Sequence, residues 1–280
     1  MIIDIHTHIF PPRIRLDRAG AAGPEEEAYR SIYLDPQARM IGARELVATM
    51  DEDGVDVAAA FGFPWVNRDT ARAHNDYLLE AQARFPHRLL GLACFDPRQA
   101  WGPAEAERTL DQGLRGLGEL AIYGAGFDAE ALARLADLGA LCRDRNVPLL
   151  LHVNEPIGHQ YPGKAPLSLR EIYAAVKALQ GVDLILAHWG GGLFFYNTLK
   201  KEVPEALSRV FYDTAASPFL YRPWIYDLAV RIVGPDKVLF GSDFPLIRPA
   251  RYFKEMAGAG LRDEWAGAIK GEAARRLLRL

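Results

Sequence analysis

MIIDIHTHIF, residues 1–10, is an apolar run that ends in two histidines, His6 and His8. Seven runs of similar build follow it: VDVAAAFGFPW (55–65), LLGLACFDP (89–97), LRGLGELAIY (114–123), VPLLLHVNEP (147–156), VDLILAHWGG (182–191), VFYDTAASP (210–218) and KVLFGSDFP (237–245). These are near-continuous apolar stretches, not polar/apolar alternations. That is the pattern of strands buried on both faces, hence parallel. Helical patterns lie between them. ARELVATMDEDG (43–54), TARAHNDYLLEAQARFP (70–86), AEALARLADLGALCRDR (129–145) and LREIYAAVKALQG (169–181) carry leucines and other apolar residues at helical spacing.

Strand–helix alternation repeated eight times predicts a closed (β/α)8 TIM barrel, an α/β fold that needs about 250 residues as one unit. The 280 residues therefore make one domain, 1–280. An open α/β sheet is the rival, but no G-x-G-x-x-G follows the first run to support it. Residues 11–42, rich in Pro, Gly and Glu, read as a long loop after the first strand, placed to shape the mouth of the barrel. Residues 246–280 supply the last helices.

Composition excludes several classes. The net charge of −3 gives no nucleic-acid footprint. No stretch of about 18 apolar residues is present, so no membrane span is expected. Cys94 and Cys142 lie far apart in apolar segments and read as buried thiols in a reducing compartment. Met1 runs straight into a strand, which leaves no room for a signal peptide, so a cytoplasmic location is expected. A homodimer is the base-rate expectation.

Barrel enzymes place their chemistry at the C-terminal ends of the strands. Polar residues end these apolar runs: His6 and His8, Glu119 in GLGE, His152 in LLLH, His188 in LILAH and Asp243 in GSD. Residues two apart on a strand share a face, so His6 and His8 point the same way. Imidazole and carboxylate are ligands for zinc and similar ions. Each residue has a plainer reading: a hydrogen-bonded structural histidine, a turn cap at Asp243, an ion pair between Glu119 and Arg115. Four of the seven histidines nevertheless end strands one, five and six, while His74, His87 and His159 fall in helix or loop. That clustering predicts a metal site.

The order D-I-H-T-H, strand-five His, strand-six His and strand-eight G-S-D-F-P resembles the amidohydrolase superfamily of metal-dependent hydrolases. HIFPP after the first strand, NDYLLEAQARFPHRLLGLACFDP (75–97), LAHWGG (186–191) and GEAARRLLRL (271–280) resemble its amidohydrolase-2 branch, that of aminocarboxymuconate-semialdehyde decarboxylase and its relatives. The resemblance implies a TIM barrel with a divalent metal at its mouth, usually zinc, with Mn, Fe, Ni or Co as alternatives. It implies that His6, His8 and His152 are ligands and that Asp243 is a ligand or proton-transfer group. His188 would be a general acid/base or bind a second ion. Glu119 departs from the decarboxylase pattern and would ligate one ion or bridge two.

The expected function is hydrolysis of a small ester, lactone or amide by water activated at the metal, since bound zinc brings the pKa of water from 15.7 to about 7. Asp243 would take the proton, and His188 would stabilise the oxyanion. Non-oxidative decarboxylation of a small aromatic or muconate-like carboxylate is the alternative, with His188 or Asp243 as proton donor. Arg13, Arg15 or Arg68 would then meet the carboxylate, and Trp65, Trp189, Phe194 and Tyr196 would wall the pocket. A non-catalytic metal-binding barrel is the third reading.

Overall fold

The computed structural model describes residues 1–280. Each predicted run contains one strand: β1 Ile3–His8, β2 Val57–Phe61, β3 Leu89–Gly91, β4 Leu117–Leu120, β5 Leu149–Leu151, β6 Leu184–Leu186, β7 Val210–Asp213 and β8 Val238–Leu239. All pair in parallel and in sequence order, within β1–β3 and within β4–β8. Parallel bridges Ala93↔Leu117 and Thr7↔Phe244 join the two groups. At those seams Gly118 N donates to Ala93 O (2.8 Å) and His8 N to Phe244 O (2.8 Å). The ring is thereby closed, as in a TIM barrel.

The predicted helices form at Ala43–Asp53, Arg68–Arg84, Ala129–Arg145 and Leu169–Ala178. Their ends follow local chemistry. Asn67 accepts from the N–H of Asp69 and Thr70, and Ser168 and Glu171 form a reciprocal capping box. Residues 11–42 are not a plain loop. They contain the short helices Pro12–Leu16 and Glu27–Tyr33. The second is tied down where Glu26 accepts from Val66 N (3.0 Å) and Asn67 N (2.7 Å). An ion buried this deeply is tolerable because backbone donors satisfy it.

Two apolar layers hold the barrel. Outward-facing strand residues such as Leu117, Leu149 and Leu184 pack under the helices. Ile3, Ile5, Ala59, Leu92, Leu150 and Ile185 fill the interior, and Ala274 and Leu278 of the last helix join them. The register slips at two places. Asp4 pairs with Ala58 but Thr7 with Ala60, and Leu117 pairs with Leu149 but Leu120 with Leu151. Each slip inserts one extra residue in β1 or β4. A bulge of this kind re-aims the side chains that follow it. On β1 it lets Ile3 and Ile5 fill the interior while His6 and His8 turn into the mouth. On β4 it accompanies Gly118, which has a φ of +149° and where a Cβ would come within 2.7 Å of Leu150 Cβ, so no side chain fits.

Candidate metal centre

The structure brings all six predicted residues to one end of the barrel. His6, His8, Glu119, His152 and His188 are buried, and Asp243 borders them. Glu119 lies between two groups. Its Oε2 is 3.8 Å from His6 Nε2 and 3.9 Å from His8 Nε2. Its Oε1 is 2.9 Å from His152 Nδ1 and 3.6 Å from His188 Nε2. Asp243 Oδ1 faces the first group, 3.7 Å from His6 Nε2 and 3.3 Å from His8 Nε2. Asp243 is thus more than a turn cap, and Glu119 faces histidines, not Arg115.

The second nitrogen of each imidazole is held from outside. His6 Nδ1 donates to Asp213 Oδ2 (2.8 Å), His8 Nδ1 to Gly62 O (3.0 Å) and His188 Nδ1 to Ala215 O (3.1 Å). His152 is reversed: its Nε2 donates to Gly163 O (3.1 Å) while Nδ1 faces Glu119. Carboxylates and carbonyls only accept, so these contacts put a proton on each outer nitrogen and turn the inner one toward the cluster. Asp213 also accepts from His188 N (2.8 Å) and Ala215 N (3.0 Å). It ends β7 as Glu119 and His152 end their runs, the same signal of an ionisable residue closing an apolar run.

The charges are mutually dependent. Burial penalises the His6 imidazolium, yet Glu119, Asp213 and Asp243 outweigh it and raise its pKa to about 10. Burial likewise opposes charge on His188, which the Glu119 and Asp243 carboxylates raise to about 9. Burial also disfavours ionised Glu119, but His6, His152 and His188 hold it well below the usual carboxylate range. Asp243 is lowered in the same way, against burial, chiefly by hydrogen bonding to His8.

This donor set fits a divalent cation. His6 Nε2 is buried with no hydrogen-bond partner, an anomaly for a polar atom in a protein interior. Three triads, His6/His8/Glu119, His6/His188/Asp243 and Glu119/His152/His188, each keep their donor atoms within 4.8 Å of one another. Cysteine is absent from the set, and Cys94 lies behind it, its Sγ donating to Glu119 O (3.0 Å).

A cavity of about 550 Å³ opens onto the cluster. Its wall differs from the expected one. Trp65, Trp189 and Phe194 are buried in packing, and Tyr196 is absent from the lining. Tyr33, Phe63 and Tyr123 take that place, with Phe63 and Tyr123 stacked at 5.7 Å. Arg39 is the arginine that lines the cavity. Arg15 is instead paired with Glu45 at 2.6 Å, and Arg13 and Arg68 are also absent from the lining. His159 borders the cavity from the loop after β5. Nothing in the local sequence marks these wall residues, because they come from separate loops.

The family model described as Amidohydrolase, of the amidohydrolase-2 type, matches residues 3–280. The chain belongs to that family. It is 26% identical to gamma-resorcylate decarboxylase of Polaromonas sp., over 87% of each chain. Among solved structures it resembles 5-carboxyvanillate decarboxylase from Sphingomonas paucimobilis, with a TM-score of 0.75 and 19% identity, over 100% of this chain and 99% of that one. It also resembles a dihydroxybenzoic acid decarboxylase from Polaromonas sp. with bound manganese and the inhibitor 2-nitroresorcinol. That TM-score is 0.70 at 19% identity, over 100% and 97% of the two chains. These structural likenesses establish the TIM-barrel fold. No helix is long and apolar enough to cross a membrane.

Proposed function

We propose that the chain is a metal-dependent carboxy-lyase that removes CO2, without an oxidant, from a small hydroxylated aromatic carboxylate. The observation that carries this is the cavity: donor cluster at its floor, aromatic walls, and at its side Arg39, a cation in no ion pair. The sequence alone points first to hydrolysis. The activities of the similar proteins, all three decarboxylases of aromatic acids, move decarboxylation ahead of it.

His6, His8, His152 and Asp243, with Glu119 among them, would hold the ion. A bound divalent cation supplies Lewis-acid polarisation of a substrate oxygen. Manganese, found in one of the similar structures, joins zinc as a candidate. Phe63 and Tyr123 offer flat surface to an aromatic ring. Arg39 attracts and orients the anionic substrate. His188 lines the cavity and is oriented through Nδ1, so its Nε2 is the group placed to hand a proton to the ring. The C–C bond to the carboxylate breaks, its electron pair stays on the ring carbon, and that carbon takes the proton as CO2 leaves.

One observation favours a second reading. The two oxygens of Glu119 face two different groups of histidines, which suits a carboxylate bridging two ions and hydrolysis of an ester, lactone or amide. A single assay separates the readings. Metal-loaded enzyme is offered hydroxybenzoates, lactones, esters and amides while CO2, released acid and ions per chain are measured. CO2 from the hydroxybenzoates supports decarboxylation. Released acid with two ions per chain supports hydrolysis. Turnover that survives verified removal of all metal rejects both.

A further inference from the structure

We infer that Lys164, outside the donor cluster, is a positioning residue that sets the orientation of His152 and through it the affinity for the ion. The inference rests on the reading of His152 as a ligand. Three of the four clustered imidazoles are held by groups at or just past strand ends: Asp213, Gly62 and Ala215. His152 alone is held by a residue far out on a loop, Gly163, eleven positions along the chain.

That loop, 155–164, has no regular structure to place its carbonyl. It is organised around the Lys164 ammonium. The side chain is 3% exposed. Its Nζ donates to Glu155 Oε1 (2.8 Å), Ile157 O (3.2 Å) and His159 O (3.1 Å), which uses all three N–H groups. It also lies 5.4 Å from the centre of the Tyr161 ring, and Tyr161 OH donates to Glu155 Oε2 (3.0 Å). The base of the loop is closed separately. Ala165 N donates to Asn154 Oδ1 (2.8 Å) and Asn154 Nδ2 to Ala165 O (3.0 Å).

Gly163 sits between these two anchors with φ of +92°, a left-handed conformation that favours glycine. Its carbonyl therefore meets His152 only while both anchors hold. Without the ammonium, two loop carbonyls lose their donor and the Glu155 carboxylate keeps only the Tyr161 hydroxyl; a partly buried carboxylate that has lost its cation moves toward water. Gly163 O would swing with the loop, and His152 would lose its orienting acceptor. Outer partners of ligating histidines are worth about 10–100-fold in metal affinity. The same loop presents His159, Tyr161 and Pro162 to the cavity, so one ammonium organises both a cavity wall and a ligand.

The test uses the full chain, stripped of metal and titrated with Co²⁺ by equilibrium dialysis and visible absorption. Lys164→Met keeps the length of the side chain and removes its charge. Its expected effect is a Co²⁺ affinity about 10-fold or more below native, with thermal unfolding of the metal-free protein close to native. If two ions bind, only one should weaken. Nitrogen-15 spectra of the metal-free protein give a readout independent of the metal: the His152 Nε2 proton, protected in the native chain, should exchange rapidly in the variant. Glu155→Gln, which leaves the ammonium its two carbonyls, should shift both readouts the same way but less, and decides the matter if Lys164→Met does not fold. Native affinity together with a protected Nε2 proton would overturn the assignment. A native chain that binds no Co²⁺ stoichiometrically would instead reject His152 as a ligand, and the proton signal alone would then judge Lys164.

Discussion

His6 and His74 are both buried, at 0% and 1% exposure, yet their surroundings drive them in opposite directions. His6 is raised to about 10 and His74 is lowered to about 4. His74, on the helix Arg68–Arg84, has both nitrogens satisfied by neutral groups. Its Nε2 donates to Ile9 O (2.7 Å) and its Nδ1 accepts from Trp65 Nε1 (2.9 Å). That pair of bonds admits only the neutral ring, and burial makes a charge there costly. His6 has one nitrogen held by Asp213 and the other free among carboxylates. Burial alone therefore does not identify a functional histidine. What sets His6 apart is an unsatisfied nitrogen facing acids that cannot pair among themselves.

The largest test of this contrast is Glu119→Gln, which removes the charge common to both groups of histidines. Ion binding should be lost, with turnover falling about 10³-fold or more, the equivalent of the several kcal/mol a bound cation contributes. Metal analysis and steady-state kinetics check it, and a loaded, active variant would put the centre elsewhere.

The neutral partner in the comparison predicts a stability effect. With a folded pKa near 4 against an ordinary value of 6.5, the unfolded chain takes up a proton at His74 before the folded one does. The stability is present in full above about pH 6.5 and is lost as pH falls through about 4, and this site accounts for about 3 kcal/mol of it. Urea unfolding across that range should show the loss. The His74 ring resonances should stay those of neutral imidazole down to about pH 4.5, and a ring already charged at pH 6 would refute the assignment.

Asp213→Asn sharpens the contrast by making the surroundings of His6 more like those of His74. Metal affinity should drop by about 10–100-fold. Both groups of histidines should feel it, because Asp213 also holds the backbone of His188. In that it differs from Lys164→Met, which acts through His152. Arg39→Gln is the mildest change. It should raise KM for a carboxylated substrate about tenfold with little change in kcat, as expected for binding made equally in ground and transition states. The KM of a neutral analogue should not move.

The strands and the longer helices were legible because their signals are local. Eight apolar runs and four periodic segments each declare themselves within a window of at most about 18 residues. The six candidate donors were legible for a related reason. Ionisable residues ending such runs must meet partners or a cation at the rim. Asp213 carried the same signal. The helix Gly102–Asp111, no shorter than Leu169–Ala178, and the helix Ile225–Val233 lie between runs and are not read as helices from the sequence, nor are the short helices within 11–42.

By itself, then, the sequence determined a parallel eight-stranded barrel and the chemical type of its mouth, since hydrophobic periodicity and strand-end polarity are properties of contiguous residues. Only the tertiary structure decided how the donors are aimed. The bulges in β1 and β4, the carbonyl that reverses His152, and the Tyr33–Phe63–Tyr123–Arg39 surface all depend on contacts between residues distant in the chain. Closure of the barrel is what creates those contacts, so no local reading could contain them.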